Sequence, residues 1–388
     1  MPSTVIVGAG VFGSSLARLL AIEGWEVTLV EQESPGWAGS SSGGESRLLR
    51  FAHGREAWYA RSARRAQELW REIDPALIAD CGLAWFAHGD DGWEADSERM
   101  LRAEGIAVER LEPDQAQKLF PSLGVDDLAW VLFEPTAGVL FASSAVQVLA
   151  EQAREAGARI LRARAEPHGG LVGVCRDRPG SVCAATDLLE ADYVVWACGP
   201  WLAKLFPRLV ELRPTLQEVV FVEAADEWIR APGWVDYDRS VYGHGSLRDY
   251  GFKVATDAEG QTADPDALGD LAGATEPVIR RYLRERFPGL GEAPVRSRRP
   301  CPYELTPDTH FIAAPHPQHD HVWLLGGGSG HGFKHGPALA ERMLGWLRGD
   351  EPPDPRFALG PRQADRSLRT AGARATPIGA KLEPAAES

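Results

Sequence analysis

The sequence predicts an α/β protein, in which a Rossmann-like dinucleotide-binding domain is interleaved with a second, antiparallel-sheet (α+β) domain. Three observations carry this prediction. A short apolar strand, a Gly-x-Gly-x-x-Gly triplet and an amphipathic helix follow one another in residues 4–23. A second glycine-rich turn between strand and helix, Gly326-Gly-Gly-Ser-Gly-His-Gly332, lies near the opposite end. Between them, residues 217–256 read as several strands with no helix among them. Two such turns so far apart make the nucleotide domain discontinuous. The expected division is 1–85, 136–210 and 295–360 for that domain, with 86–135 and 211–294 forming the second.

The elements follow in order. Thr4–Val7 is the first strand, and Val11–Glu23 repeats Leu16, Leu19 and Leu20 on one helical face until Gly24 stops it. Gly8 permits the tight turn, Gly10 lets the backbone approach a pyrophosphate, and Gly13 lets helix and strand pack closely. Val11 and Phe12 open the helix, whose N-terminus presents N–H groups and partial positive charge to phosphates. Glu26–Glu31 is the second strand, and Glu31 at its end is placed to accept from ribose hydroxyls. A carboxylate there disfavours a 2′-phosphate, which argues against NADP. Residues 36–46 form a Gly/Ser loop that includes Ser41, read as functional because it joins a strand to the helix Glu56–Ile73. Residues 86–135 are mixed. Ser143–Ala156 is helical, Arg159–Arg164 and Asp192–Ala197 are strands, and the latter leads into Cys198-Gly-Pro-Trp201. Glu218–Glu223, Ser240–His244 and Gly251–Ala255 are strands, Glu276–Phe287 a helix, Val322–Leu325 a strand and Phe333–Arg348 the last helix. Residues 361–388 lack periodicity and read as a disordered tail.

Composition bounds the function. The chain of 388 residues has a net charge of −14, which argues against a sequence-independent nucleic-acid binder. Five cysteines without a C-x-x-C pair exclude a disulfide scaffold or zinc module and fit a reducing compartment. No metal ligands are assigned. No run of 18 apolar residues occurs, and Met1-Pro-Ser-Thr-Val leads straight into the glycine motif, so the expectation is a soluble cytoplasmic protein without a membrane partner.

Seven landmarks in one order resemble the D-amino-acid-oxidase-type flavoproteins, and among them the monomeric sarcosine oxidase, N-methyl amino acid oxidase and pipecolate oxidase group. They are Gly8–Gly13 with Glu31, Gly43-Gly-Glu-Ser-Arg-Leu-Leu-Arg50, Phe133–Phe141, Ala197-Cys-Gly-Pro-Trp201, Tyr250-Gly-Phe-Lys253, Cys301-Pro-Tyr-Glu-Leu-Thr-Pro-Asp-Thr-His-Phe311 and Gly328-Ser-Gly-His-Gly-Phe-Lys334. The resemblance implies FAD as cofactor, a small amino acid as substrate, O2 as acceptor and a monomer. It implies oxidation of a secondary or cyclic amino acid to an imine, with H2O2 released. A flavin dehydrogenase or tailoring enzyme with another acceptor, a flavin monooxygenase and a flavin binder without turnover stand as alternatives.

Residue by residue, Arg50 and Lys334 match the carboxylate-binding pair, and Arg47 matches an arginine lying against the flavin ring. Lys253 matches the lysine that activates oxygen, and Tyr242 an active-site tyrosine. Cys301 matches the cysteine linked to the flavin 8α-methyl group, with Arg296, Arg298 and Arg299 close in sequence to lower its pKa. The other four cysteines read as packing. Ser41, Gly199 and Trp201 join the cofactor set, as do Gly328, Gly330 and Gly332, whose turn is expected to offer free N–H groups to the flavin. His331 in that turn reads as packing. Asp257 and Gly43 stand where sarcosine-oxidising members carry histidines, so sarcosine itself is not the expected substrate.

Overall fold

In a computed structural model, residues 1–175, 187–258, 260–269, 271 and 273–363 are described. Strand β1 (Ser3–Val7) runs into helix α1 (Val11–Ile22), which returns to strand β2 (Glu26–Glu31), parallel to β1. Gly24, at φ +80°, makes the reversal after α1. These strands belong to a six-stranded sheet. Tyr193–Trp196 lies beside β1, then His319–Gly326, and Ile312–His316 forms the antiparallel edge. Arg159–Arg162 closes the other edge, beside β2. Helices α1, Ala142–Glu155 and Gly336–Arg348 bury Leu16, Leu20, Val146, Leu149 and Met343 against the sheet, so the αβ alternation of the sequence becomes a layered core.

The predicted strand Arg159–Arg164 ends at Arg162. Ala163 donates to Glu31 O, and a new strand, Arg164–His168, leaves to pair with Leu171–Cys175. The predicted helix Phe333–Arg348 begins later, at Gly336, after a 3-10 turn over Phe333–His335. Pro337 at its start has no N–H and is preorganised for a first turn.

The second sheet has nine strands and is antiparallel except where Gly233–Asp236 pairs with Leu83–Ala87. Val295–Leu305 lies along Arg213–Val222 within this sheet, and Leu83–Ala87 is one of its central strands. The boundary at 85 therefore falls inside a strand of the large sheet, and the one at 295 separates Val295–Leu305 from its partner strand. Cys301 is a buried residue of that sheet. A further short sheet pairs Ser46–Leu49 with Gly138–Phe141. Residues 364–388 of the expected tail, and Cys183, lie outside the described residues. Cys175, expected as packing, is disulfide-bonded. Among the described residues no helix is long and apolar enough to cross a membrane.

Candidate active site

The glycine triplet works by close approach. At Gly8, φ is +103° and a Cβ would stand 2.5 Å from Ala197 O; at Gly13 a Cβ would stand 1.9 Å from Gly8 O. Gly13 thus joins helix to strand and does not face the cleft. Gly13→Ala should push α1 off the sheet and cost about 1–3 kcal/mol, read as a lowered midpoint of chemical denaturation.

A cleft of ≈ 1190 Å³, counting its open mouth, runs over this turn. Gly8, Gly10, Val11 and Phe12 form its floor, and Glu31, Ser41, Gly199 and Trp201 its flank. Gly328, Gly330 and Gly332 close it near Arg47. Helix α1 follows Gly10, which offers no side-chain cap; Ser42 Oγ accepts from Val11 N–H at 3.0 Å, and Val11 and Phe12 of the first turn line the cleft. Glu31 binds Ala9 N–H at 2.7 Å and Glu33 N–H at 2.9 Å, which fixes the carboxylate at the cleft edge. Burial raises its pKa despite those bonds. Two buried oxygens of this cleft, Ser41 Oγ and Glu304 Oε2, have no hydrogen-bond partner, as expected where a polar ligand completes the wall. An elongated, polar-lined cleft on a helix N-terminus fits a dinucleotide such as FAD.

One expectation changes. The N–H groups of Gly328, Ser329, His331 and Gly332 are bonded within their own turn or to Glu304, with Gly328 N–H donating to Glu304 Oε1 at 3.1 Å. These four are not free donors. Trp201 turns its indole N–H outward to Asp266 at 2.7 Å while its ring lines the cleft.

Buried and half-buried cations gather beside the cleft, and Arg47 lines its wall. Arg47 spans the Gly/Ser loop, donating to Ser41 O at 2.7 Å and Gly43 O at 2.8 Å, with Nη2 3.5 Å from Cys301 Sγ. Its guanidinium lies 5.6 Å from the Phe333 ring centroid. That tight loop explains Gly43, where a Cβ would meet Trp37 O at 2.1 Å, leaving no room for a histidine.

Lys253 is 1% exposed in the buried strand Phe252–Thr256, and its Nζ donates to Ser46 O at 3.1 Å and Oγ at 3.2 Å. Ser46 Oγ lies 2.7 Å from His244 Nε2, and His244 Nδ1 lies 2.6 Å from Gly245 O. A carbonyl only accepts, so Nδ1 carries the hydrogen and Nε2 accepts from Ser46. The chain of donors therefore runs from Lys253 through Ser46 to His244. Burial, then the Lys253 charge, lowers His244 to about 3, so it stays neutral. Burial, followed by Arg47 and Arg299, holds Lys253 well below the usual lysine value. Tyr242 joins this group, with its ring 5.5 Å from Lys253 Nζ and its hydroxyl 3.0 Å from Tyr303 Oη. Burial, then Cys301, pushes Tyr242 up to about 12.

Strand alternation decides which arginine serves Cys301. Arg299, two residues away, shares its face, while Arg298 points oppositely and pairs with Glu276 at 2.7 Å. Arg299 is held by Glu45 at 2.6 Å. Burial alone would raise the Cys301 thiol, but Arg47, Arg299 and Lys253 outweigh it and hold the thiol below its usual value. Cys198 and Cys81 go the other way, because burial pushes both thiols up. Among the free cysteines, Cys301 has the thiolate-favouring surroundings.

Arg50 and Lys334 form a second pair. Arg50 leaves its strand end over Trp85, at 5.1 Å from the ring centroid, and donates to Ala52 O. Lys334 Nζ donates to His331 O at 2.8 Å, and burial together with Arg50 holds it well below the usual lysine value. Glu134, fully buried, accepts from Phe51 N–H, Ala52 N–H and Trp85 Nε1–H, and so fixes the segment that follows Arg50. Ser46, His244, Glu134, Arg299 and Glu304 complete the site, and of these the sequence singled out Arg299 alone.

Residues 3–346 match the family model described as DAO, FAD dependent oxidoreductase. Monomeric sarcosine oxidase of Bacillus sp. (strain B-0618) is 30% identical over 358 residues, covering 87% of this chain and 90% of that protein. N-methyl-L-tryptophan oxidase of Yersinia pestis (strain Pestoides F) is 27% identical over 357 residues, covering 87% and 92%. In fold, L-proline dehydrogenase from P. horikoshii superposes with a TM-score of 0.79 at 18% identity, covering 92% of this chain and 96% of that one. The chain belongs to the DAO family of FAD-dependent oxidoreductases.

Proposed function

We propose that this protein is a monomeric, cytoplasmic FAD oxidase of a secondary or cyclic amino acid, yielding an imine and H2O2. The observation that supports the reading is a pair of cationic groups next to the dinucleotide cleft, one reaching it through Arg47, which lines the wall, and the other adjoining Phe333, which lines it too. One is Arg50 with Lys334, and the other is Arg47, Lys253 and Arg299 around Cys301. The named activities of the sarcosine and N-methyl-L-tryptophan oxidases support an N-substituted amino acid.

Bound FAD would supply the two-electron acceptor for the C–H bond beside the amine and return those electrons to O2. Arg50 grips the substrate carboxylate with its fork of donors, and Lys334 adds a point charge. Trp85 beneath Arg50 and Glu134 behind it hold that fork in place. Lys253 supplies a fixed positive charge where oxygen becomes negative, and its bonds to Ser46 keep the ammonium oriented. Tyr242 stays protonated and offers a hydroxyl at the substrate face.

Cys301 is proposed as the covalent anchor. Its thiol, favoured as thiolate by Arg47, Arg299 and Lys253, is the group that would hold the cofactor through a thioether at the 8α carbon. Wild-type protein precipitated with acid should carry its yellow colour into the pellet, and Cys301→Ala should leave it in the supernatant. The function itself is tested by anaerobic titration with N-methyl and cyclic amino acids. At least one should bleach the flavin, and a panel that bleaches none would overturn the reading.

A further inference from the structure

We propose that His53, His331 and His335 form a binding site for a divalent transition-metal ion of the zinc type, separate from the cofactor cleft. The three imidazoles come from distant parts of the chain and offer ligand nitrogens that all lie within 4.8 Å of one another. They are 1%, 5% and 0% exposed.

Their hydrogen bonds dictate which nitrogen faces the centre. His53 Nδ1 lies 2.8 Å from Phe51 O, and His331 Nε2 lies 2.8 Å from Thr309 O. Both carbonyls can only accept, so those nitrogens carry hydrogens and the opposite nitrogens, His53 Nε2 and His331 Nδ1, present lone pairs. His335 Nδ1 is held by Ser62 Oγ at 2.9 Å. A ring nitrogen tied to a backbone or hydroxyl oxygen while its other nitrogen turns inward is the usual support of a metal-ligating histidine.

His53 Nε2 and His335 Nε2 are buried without any hydrogen-bond partner, and an orphaned ring nitrogen is costly in such a place. The cations Lys334 and Arg50 stand close to His53 and His335. The same cations weaken attraction for a metal and set the affinity below that of a thiolate site. Three nitrogens at about 2.0–2.1 Å from zinc sit about 3.4 Å apart in tetrahedral geometry, so a small inward shift of the rings closes the site. Tyr59 and Phe311 wall the centre, with Phe311 stacked on His331 at 5.1 Å. Because His331 and His335 flank Lys334, the ion would brace the turn that carries it.

The test uses the full chain with its flavin, stripped by chelator, dialysed against Zn2+ and analysed for retained metal. His319→Ala/His321→Ala serves as background, because those surface imidazoles, 6.2 Å apart, can also take zinc. About one retained zinc per chain is expected in that background, with a raised thermal midpoint. His53→Gln and His335→Gln should each weaken retention by at least ~10-fold and abolish the thermal shift. His335→Cys, which keeps a ligand, should restore both. The proposal is overturned if the background retains no zinc, or if His53→Gln and His335→Gln retain it undiminished. If the glutamine variants fail to fold, the His335→Cys result and the thermal shift of the His319→Ala/His321→Ala background still decide.

Discussion

Lys253→Met is expected to slow reoxidation of the reduced flavin by O2 about 10²–10³-fold, the typical cost of removing one preorganised electrostatic group. Flavin reduction by substrate should change little, because the Lys253 ammonium is directed at Ser46 and the Arg50–Lys334 pair is separate. Stopped-flow measurement of the two half-reactions separates the effects. A pH signature accompanies the loss. Burial, Arg47 and Arg299 depress Lys253, so its charged form is complete below that lowered pKa and disappears as pH rises through it. Wild-type reoxidation should therefore fall at a pH below the ordinary lysine range, and Lys253→Met should be flat across the same interval. A variant that slows both half-reactions equally would assign Lys253 to packing.

Arg50→Ala should lower kcat/KM by about 10²–10³, which corresponds to about 3–4 kcal/mol for two charge-assisted hydrogen bonds lost from a carboxylate. Most of the effect should appear as a raised KM, because the carboxylate is bound in ground and transition states alike. Arg50→Lys should recover only part, since a single ammonium cannot reproduce the fork. An uncharged amine lacking the carboxylate discriminates this from a folding defect. It should be a poor substrate for wild type and hardly poorer for Arg50→Ala. Equal losses on both substrates would place Arg50 outside the carboxylate clamp.

How much of this was legible in sequence depended on the range of the interaction. The β1–α1–β2 unit could be read because its period, its glycines and Glu31 are all local, and the bounds of β2 agree to the residue. The cluster around Cys301 was half legible. Arg299 was one of three candidate arginines, and the two-residue alternation of Val295–Leu305 selects it over Arg298. That alternation was available in sequence once the segment was taken as a strand. Its membership of the large sheet was not, because its partner strand, Arg213–Val222, sits far upstream.

Long-range polar contacts were invisible for the same reason. Nothing local ties Ser46 to His244 and Lys253, or Glu134 to the backbone after Arg50. Glu304 was quoted inside the Cys301 motif but given no role. Its environment, an unpartnered oxygen and a pKa raised by burial to about 7, arises only when the turn at Gly328 folds onto it. The last helix was misjudged at its start, where the helical reading ran through the 3-10 turn Phe333–His335 that precedes the α-helix at Gly336.

The central claim is that the cation-lined end of the cleft oxidises an amino acid and passes the electrons to oxygen. It is tested most directly by turnover in air with whichever N-methyl or cyclic amino acid bleaches the flavin, following O2 uptake and H2O2 together. Equimolar O2 consumption and H2O2 release, both slowed about 10²–10³-fold in Lys253→Met at matched flavin content, is the predicted result. Flavin that bleaches with substrate but consumes no O2 and releases no peroxide in air would contradict it.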